Sequence, residues 1–332
     1  MTLAYKYQAL KSFIFKIAAL SVLPAALLTA TAGLAAGGDG EGGESSRLAL
    51  FYSASLAGNF EPCGCSGNPT GGLARRAGVM TSYSDQHSHP ILQVDAGNFF
   101  AALGPGSSMV NELMTEALRE FPVSVLNLAS EDLHYWDQLS ALEDLPTQII
   151  STNLTPRRSS RALPARYAVV EIEGSRLGLS RNLRIGFLGV TDPSRVKPNS
   201  GFRASNPMQA IAQVKDEVLK EADWLVVLAD VEREAKTIAT DSFFYRLAEA
   251  HPEVKLIIHT EKRYVLFPPE EAGSATVLGG VERGRQLARL LLTLDNQGGI
   301  SDMEQEFFEL KEGVPEDEQW LQRQARVKLF TQ

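Results

Sequence analysis

The sequence contains few of the residues and motifs that mark several large classes of protein. Its 332 residues include two cysteines, Cys63 and Cys65, which are too few for a disulfide-rich scaffold. Acidic residues exceed basic ones by 40 to 32, a formal net charge of −8. An acidic chain without a basic stripe argues against recognition of nucleic acid through its phosphates. The G-x-S-x-G and Walker motifs are absent, and no complete G-x-G-x-x-G follows a strand pattern, so the folds built on them are not indicated.

Residues 1–36 have the order of a secretory signal peptide. Three lysines precede an apolar run, Ile17–Leu28, and small residues follow it at 29–36, as in a segment that is cleaved on export. The alternative is an uncleaved membrane anchor, because the apolar stretch approaches the roughly 20 residues that span a bilayer. Cleavage would remove three lysines and leave a net charge of −11. It would place the mature protein outside the cytoplasm, in the periplasm or secreted.

The rest of the chain divides into three predicted segments. Residues 37–46 form a Gly-rich polar linker without a core-forming residue. Residues 47–296 are predicted to fold as one domain. Residues 297–332 are predicted to form a C-terminal helical extension, because Pro315–Phe330 is charged and amphipathic.

The predicted domain alternates strand and helix patterns, which indicates an α/β fold with buried parallel sheets. Short apolar runs predict strands at Leu48–Ser53, Ile91–Asp95, Val123–Leu128, Gln148–Ser151, Leu183–Val190, Trp224–Ala229 and Leu256–His259. Amphipathic stretches predict helices at Leu73–Tyr83, Met109–Glu120, Leu133–Leu142, Pro207–Glu221 and Asp241–Ala250. Three strand patterns without a following helix predict an antiparallel portion, at Tyr167–Ile172, Ala275–Gly279 and Gln286–Leu294.

Several short motifs occur in an order that is typical of one enzyme family. They are the segments Leu50–Gly58, Glu61–Cys65, Gly71–Arg76, Val94–Asn98, Ser151–Leu154, Ile185–Thr191, Ala222–Ala229 and Gly279–Asp295. Through these motifs the chain resembles the 5′-nucleotidase-type metallophosphoesterases from about Leu48 to Asp295. The resemblance implies a four-layer α/β/β/α sandwich for the domain 47–296. It also implies a site where two divalent metals activate water and bind a phosphate.

The metal ligands of that family are largely missing at the matching positions. The Asp-x-His motif falls on Ser55 and Ala57, and a methyl group cannot bind a metal. The bridging aspartate falls on Asn98, a lone histidine becomes Asp230, and the last histidine motif falls near His259. The usual dinuclear hydrolysis is therefore not expected. The resemblance also places Asn153 among the substrate-binding residues.

Two interpretations of the remaining polar residues stay open. A rebuilt site could hold one divalent metal ion through Asn98, Asp132, Asp230 and His259, with Glu131 and Glu261 beside them, since all follow predicted strands. Alternatively, these are ordinary polar residues at exposed strand ends. Arg157, Arg158 and Arg161 cluster in a predicted loop and are interpreted as solvated surface charges.

The cysteine pair lies in a turn-rich loop before the first helix. In an oxidising compartment Cys63 and Cys65 are expected to form a disulfide. A bridge this short gains little loop entropy and tends to be labile. The N-terminus of the next helix, with Arg75 and Arg76, would favour a thiolate. Loop pinning and redox chemistry by the two cysteines therefore both remain open, as does binding of a soft metal ion.

The sequence thus predicts an exported protein of metallophosphoesterase fold that acts as a binding or thiol-redox module. The alternative is a 5′-nucleotidase-like phosphoesterase with a remodelled metal site. No cofactor is predicted beyond one possible divalent metal ion. The expected partner is an extracytoplasmic protein or small molecule and not nucleic acid, with membrane contact only if the signal is uncleaved.

Overall fold

The computed structural model of the protein describes residues 46–64, 67–121, 123–158, 160–232, 241–260 and 268–331. The predicted signal peptide and nearly all of the linker lie outside this part, as do Cys65 and Glu261. No helix among the described residues is both long enough and apolar enough to cross a bilayer.

The described chain contains fourteen strands and six α-helices, and most lie where the sequence patterns predict them. The strands are β1 (Arg47–Ser53), β2 (Ile91–Asp95), β3 (Val123–Asn127), β4 (Gln148–Ile150), β5 (Leu154–Pro156), β6 (Tyr167–Ile172), β7 (Leu183–Thr191), β8 (Phe202–Ala204), β9 (Trp224–Asp230), β10 (Val254–His259), β11 (Glu270–Ala272), β12 (Ala275–Gly279), β13 (Gln286–Leu294) and β14 (Ile300–Glu309). The helices are α1 (Leu73–Gln86), α2 (Ser107–Glu120), α3 (Trp136–Leu139), α4 (Pro207–Val218), α5 (Phe243–Ala250) and α6 (Glu318–Thr331).

The strands form two six-stranded sheets and one short ribbon. The first sheet has the order β14-β13-β1-β2-β3-β4, and the second has the order β11-β12-β10-β9-β7-β6. β1 to β4 run parallel to one another, as do β7, β9, β10 and β12, while β6, β11, β13 and β14 pair antiparallel. β5 and β8 pair antiparallel as a separate ribbon. The predicted mixture of parallel and antiparallel pairing is confirmed.

The two sheets pack face to face, and helices cover their outer faces. β1 shows why, because Leu50 and Tyr52 lie in the core between the sheets with Phe187 and Leu228, whereas Phe51 packs on the α1 side. A strand buried on both faces reads as a continuous apolar run, and this one does. α1, α2 and α6 contribute to the outer core of the first sheet, and α4 and α5 to that of the second. The predicted four-layer α/β/β/α sandwich is confirmed.

Two predicted segments differ from the structure. The helix expected at Leu133–Leu142 shrinks to the four residues of α3, because turns occupy 130–135. Residues 297–332 are not one helical extension, since Ile300–Glu309 forms β14 and only α6 is helical. The turn at 295–299 folds β14 back onto β13. Most β14 residues are at least partly exposed and many are charged, which protects an edge strand and hides its strand pattern.

Candidate functional site

The residues singled out by the sequence follow the carboxyl ends of the parallel strands. Parallel strands in an α/β fold bring these ends to one edge, where ligands usually bind. The loops after β1, β2, β3 and β9 meet there. Their backbones are joined directly, since the N–H of Ser55 donates to the Gly97 carbonyl at 2.8 Å and that of Ala57 to the Asn98 carbonyl at 2.8 Å.

Three of the positions that match metal ligands in the family have left-handed backbones. Ser55 has φ 54°, Ala57 has φ 51° and Asn98 has φ 57°. This conformation costs a residue with a side chain roughly 1–2 kcal/mol relative to its ordinary region. It persists where the surrounding structure imposes it, and such positions cluster at functional sites. The loop geometry of a functional site is therefore present although its usual ligands are not.

Asp230, at the end of β9, is fully buried. Its carboxylate accepts hydrogen bonds from Asn98 Nδ2 at 3.1 Å, Thr260 Oγ1 at 2.7 Å and the Ser130 N–H at 2.8 Å. Arg195 Nε forms an ion pair with Asp230 Oδ1 at 3.0 Å. We call these five residues the Asp230 cluster. The cluster satisfies the buried charge by a guanidinium and three hydrogen-bond donors.

Asn98 closes the cluster on its other side. Its side-chain oxygen accepts the Glu131 N–H at 3.0 Å while its Nδ2 donates to Asp230. Both ends of this amide are therefore engaged between the loops after β2, β3 and β9. A side chain so committed links loops and does not offer a vacant donor atom to a cation.

Asp132 is buried and acts on the backbone. Its carboxylate accepts N–H bonds from Asn98 at 2.7 Å, Phe100 at 3.0 Å and Ala129 at 3.3 Å. Burial raises the pKa of Asp132 to about 8, against the lowering effect of these N–H groups. The side chain therefore orders the loops after β2 and β3.

A third buried carboxyl, that of Asp95, lies at the end of β2. Asp95 accepts hydrogen bonds from Ser53 Oγ at 2.6 Å and the Gly97 N–H at 2.8 Å, and Arg76 Nη2 donates to Ser53 Oγ at 3.2 Å. Burial raises the pKa of Asp95 to about 6, opposed by these hydrogen bonds and by the charge of Arg76. Asp95 and Arg76 thus compensate each other through a serine.

Two predicted site residues are placed differently from the Asp230 cluster. The amide of Asn153 donates to the carbonyls of Thr191 at 2.7 Å and Ser205 at 2.8 Å, and its oxygen accepts the Thr191 N–H at 3.0 Å. Both of its N–H hydrogens are thus used on backbone, so its place here is structural. The ring of His259 lies against Phe244 of α5, with centroids 5.2 Å apart, on the helix side of the second sheet.

Sequence reasoning did not find Arg195, the cation of the Asp230 cluster. It lies in a short 3₁₀ turn, Pro193–Arg195, that follows β7. The Asp192 side chain caps this turn by accepting the Ser194 N–H at 2.8 Å. An Asp-Pro pair after a buried strand was the available signal for the turn. Nothing in the sequence indicates that the arginine folds back onto Asp230.

The residues present do not fit a dinuclear metal site. Such a site requires several oxygen and nitrogen donors that converge on the ions. Ser55 Oγ instead donates to the Thr260 carbonyl at 3.0 Å, Ala57 offers a methyl group, and Asn98 and Asp230 are committed as described. Across the described part of the chain, no group of three or more His, Cys, Asp or Glu is arranged to hold a metal ion.

The cysteine loop lies in front of α1 and is closed by its own backbone. The Cys63 N–H donates to the Thr70 carbonyl at 2.8 Å, and the Thr70 N–H donates to Cys63 Sγ at 3.4 Å. Cys63 is not a free thiol. Its expected partner, Cys65, lies outside the described residues, so their pairing stays a prediction.

The two arginines expected near the thiols are committed elsewhere. Arg75 pairs with Glu316 at 2.7 Å and donates to the Pro69 carbonyl at 2.6 Å, whereas Arg76 bonds to Ser53. Arg75 therefore holds the far end of the cysteine loop. Arg76 instead lies against the end of β1, where Ser53 is.

The comparisons with known proteins rest on structure alone. No model of a protein family and no curated protein matches the sequence. The crystal structure of a 5′-nucleotidase precursor from Thermus thermophilus is 20% identical, with a TM-score of 0.65 over 85% of this chain and 58% of that chain. The calcineurin-like phosphoesterase YfkN of Bacillus subtilis is 14% identical, with a TM-score of 0.64 over 86% of this chain and 98% of that chain.

A third neighbour is a sulfate thiohydrolase, SoxB, also from a Thermus species. It is 14% identical, with a TM-score of 0.64 over 85% of this chain and 60% of that chain. Together these neighbours confirm the fold that the motifs predicted, that of the calcineurin-like phosphoesterases and 5′-nucleotidases. At these identities the likeness establishes the fold alone. The chain spans about 58% of the length of the 5′-nucleotidase precursor.

Proposed function

We propose that this protein is an extracytoplasmic binding module in which the phosphoesterase fold no longer performs metal-dependent hydrolysis. The observation that carries the proposal is the Asp230 cluster, because Arg195 supplies the positive charge beside a carboxylate at a former ligand position. The cation is part of the chain, so the buried carboxylate needs no external ion. The remaining loop geometry is suited to holding ligands at the sheet edge.

Electrostatics supports the same interpretation. A dinuclear site balances about four positive charges with several anionic and imidazole ligands. The carboxylate of Asp230 contacts one guanidinium, one amide, one hydroxyl and one backbone N–H. Two divalent ions placed there would compete with Arg195 for the Asp230 carboxylate and would be repelled by its guanidinium. We therefore expect the native protein to bind neither manganese, iron nor zinc at this edge.

The test is metal content measured together with hydrolysis. The chain purified without chelator should contain no stoichiometric transition metal, and it should not cleave bis(p-nitrophenyl) phosphate after addition of Mn²⁺. Metal-dependent cleavage that Asp230→Ala abolishes and Asp216→Ala preserves would overturn the proposal. That result would favour the alternative, a phosphoesterase with a remodelled site.

A thiol function of the cysteine loop is a second candidate. The observation that favours it is the Thr70 N–H directed at Cys63 Sγ, because hydrogen-bond donors stabilise a thiolate. We expect the loop to exchange its disulfide with an external dithiol, which would be oxidised as Cys63 and Cys65 are reduced. Titration in dithiothreitol buffers followed by alkylation should give two labelled thiols at a measurable potential. A pair that resists both reagents in the folded protein would exclude this function.

The extracytoplasmic location rests on the signal-like pattern of residues 1–36. Mass spectrometry of the protein exported by its host should find a mature chain that begins within or just after the small residues 29–36. A full-length chain retained in the membrane would instead support the uncleaved anchor.

A further inference from the structure

A large cleft opens beside the Asp230 cluster and is lined by basic side chains. Its volume is about 1070 Å³, at the upper end of what small-molecule sites enclose. Four stretches that are distant in sequence form its walls: the loop after β2, the loop after β3, the segment after β5, and the turn between β7 and β8. We call this cleft the basic cleft. Four of its lining residues are cations, namely Arg157, Arg158, Arg161 and Lys197.

Arg161 fixes three of these walls to one another. Its guanidinium pairs with Asp137 at 2.5 Å and donates to the carbonyls of Ser200 at 2.8 Å and Leu133 at 3.2 Å. It also lies over the ring of Phe202, 4.4 Å from the centroid. A guanidinium held on this many sides loses little further entropy when a ligand arrives. The cleft is therefore a built feature and not a set of mobile surface side chains.

The glycine at the tip of the β7–β8 turn is required for this arrangement. Gly201 has φ +80°, and a Cβ at this position would come within 2.3 Å of Arg161 Nη1. Arg157 is anchored to the same turn, because its Nε donates to the Phe202 carbonyl at 2.9 Å and its N–H to the Gly201 carbonyl at 2.8 Å. Backbone and side chain together hold two arginines at the cleft wall.

The other two cations are available to a ligand. Arg158 and Lys197 are exposed, and among the described residues neither has an ion-pair partner. The acidic lining residues are Glu131 and Asp137, and the latter is already paired with Arg161. The cleft thus carries a local positive excess in a chain whose net charge is −8.

A histidine adds a further polar group to the lining. His134 Nδ1 lies 2.6 Å from the Glu131 carbonyl, so that nitrogen carries the proton, since a carbonyl can only accept. His134 Nε2 is buried and has no hydrogen-bond partner in the described structure. An unsatisfied buried ring nitrogen next to a cleft indicates a missing partner such as a ligand or water.

We propose that the basic cleft binds a small polyanion, with Arg158 and Lys197 as its principal contacts and Arg157 and Arg161 as the fixed frame. Guanidinium and ammonium groups bind both phosphate and carboxylate oxygens, so the shared chemistry is two or more anionic groups on one small molecule. The inference rests on the proposed binding function. It assigns the ligand class and requires no metal ion.

Isothermal titration calorimetry in metal-free buffer tests the assignment, with inorganic pyrophosphate and citrate as the two probes. Metal is first removed with EDTA, which is then dialysed away because it is itself a polycarboxylate. We expect at least one probe to bind the wild-type chain, with affinity that falls as salt rises, because the contacts are ionic. The double variant Arg158→Ala/Lys197→Ala should bind about tenfold more weakly or worse, which corresponds to losing about one charge-assisted contact. Binding of pyrophosphate alone would identify a phosphate-type ligand, and binding of citrate alone a carboxylate-type ligand.

The matched control is Arg203→Ala/Lys220→Ala, which removes two exposed cations outside the cleft lining. An equal loss of affinity in both double variants would show that the effect comes from net charge alone, and it would overturn the proposal. Failure of both probes to bind the wild type would also overturn it. These outcomes are distinguishable from those of the proposed function. A chain that binds metal and hydrolyses esters could still bind a polyanion through Arg158 and Lys197 in metal-free buffer, and a chain without hydrolysis could still fail to bind either probe.

Discussion

The Asp230 cluster and the basic cleft lie side by side at one edge of the molecule, yet they treat charge in opposite ways. In the cluster the buried carboxylate of Asp230 accepts three hydrogen bonds and forms one ion pair, all with residues of the same chain. In the cleft, exposed cations have no ion-pair partner among the described residues. A charge that the protein satisfies itself contributes to folding, whereas a charge left for a ligand contributes to binding. Substitutions in the two regions should therefore move different observables.

The largest effect is expected from Asp230→Ala. The change leaves Arg195 without its partner and three donors without an acceptor, and breaking a buried ion pair typically costs about 3–5 kcal/mol of unfolding free energy. Urea unfolding measures the loss. The control Asp216→Ala breaks an exposed pair with Lys215 and should cost under about 1 kcal/mol. Equal losses in the two variants would mean that the cluster is not a buried unit.

Asp132, which binds the backbone of Asn98 next to the Asp230 cluster, should make the unfolding free energy depend on pH. Its folded pKa of about 8 lies above the ordinary value of 3.8, so the folded chain holds a proton that the unfolded chain releases. The unfolding free energy should then fall as pH rises from about 4 to about 8, and Asp95 should add to the fall up to about pH 6.

Asp132→Asn should flatten this decline, measured by urea unfolding at pH 5 and pH 8. It should also cost about 1–3 kcal/mol at pH 5, because an NH₂ group would face backbone donors. Asp302→Asn, an exposed carboxyl on β14, serves as control and should keep the wild-type slope. An unchanged slope in Asp132→Asn would assign the pH dependence to other groups.

Ala57→Gly tests the strain that the site loops retain. Relief of the left-handed backbone, about 1–2 kcal/mol, should outweigh the added chain entropy of glycine. The net result should be stabilisation of about 0.5–1 kcal/mol in thermal or urea unfolding. Ala162→Gly, at an exposed position outside the left-handed region, should instead be neutral or destabilising. Destabilisation by Ala57→Gly would show that the methyl group packs in a way that offsets the strain.

The smallest effect on stability should come from the cleft. Arg158→Ala/Lys197→Ala removes exposed side chains, and such changes usually stay within about 0.5 kcal/mol. Loss of polyanion binding without loss of stability would sharpen the contrast with Asp230→Ala. A loss of stability as large as that of Asp132→Asn would instead place these cations among the structural charges.

Most strands could be predicted because they depend on local pattern, whereas the four-layer order was implied by the resemblance to the family. β2, β6, β12 and β13 begin and end where their apolar runs do. β5, β8 and β11 were missed, since strands of three residues carry no usable periodicity. β4 is equally short but was predicted, because its apolar residues stand between turn residues. β14 was missed because most of its residues are exposed and four of them are charged, so no buried face marks it.

The candidate site likewise has some features that the sequence predicts and others that it does not. That Ala57 and Asn98 cannot replace an imidazole and a carboxylate follows from side-chain identity alone. Two sets of contacts could not be predicted from neighbouring residues in the sequence. Asn98 donates to Asp230, and Asp132 accepts hydrogen bonds from three backbone N–H groups. The interpretation of Arg157, Arg158 and Arg161 as solvated surface charges is only partly right, because Arg161 is fastened to the turn before β8.

The sequence by itself determined most of the strands and helices, because apolar periodicity is a local property. The resemblance to the family implied the layered fold, and side-chain identity at the matching positions showed the loss of the family's metal ligands. The sequence also singled out the cysteine loop. Only the tertiary structure decided which charges compensate one another. Arg195 reaches Asp230 from 35 residues away, and the basic cleft joins walls from four separate segments. Coulomb and hydrogen-bond energies depend on distance in space and on burial, and the order of the residues along the chain does not directly specify either of these two quantities.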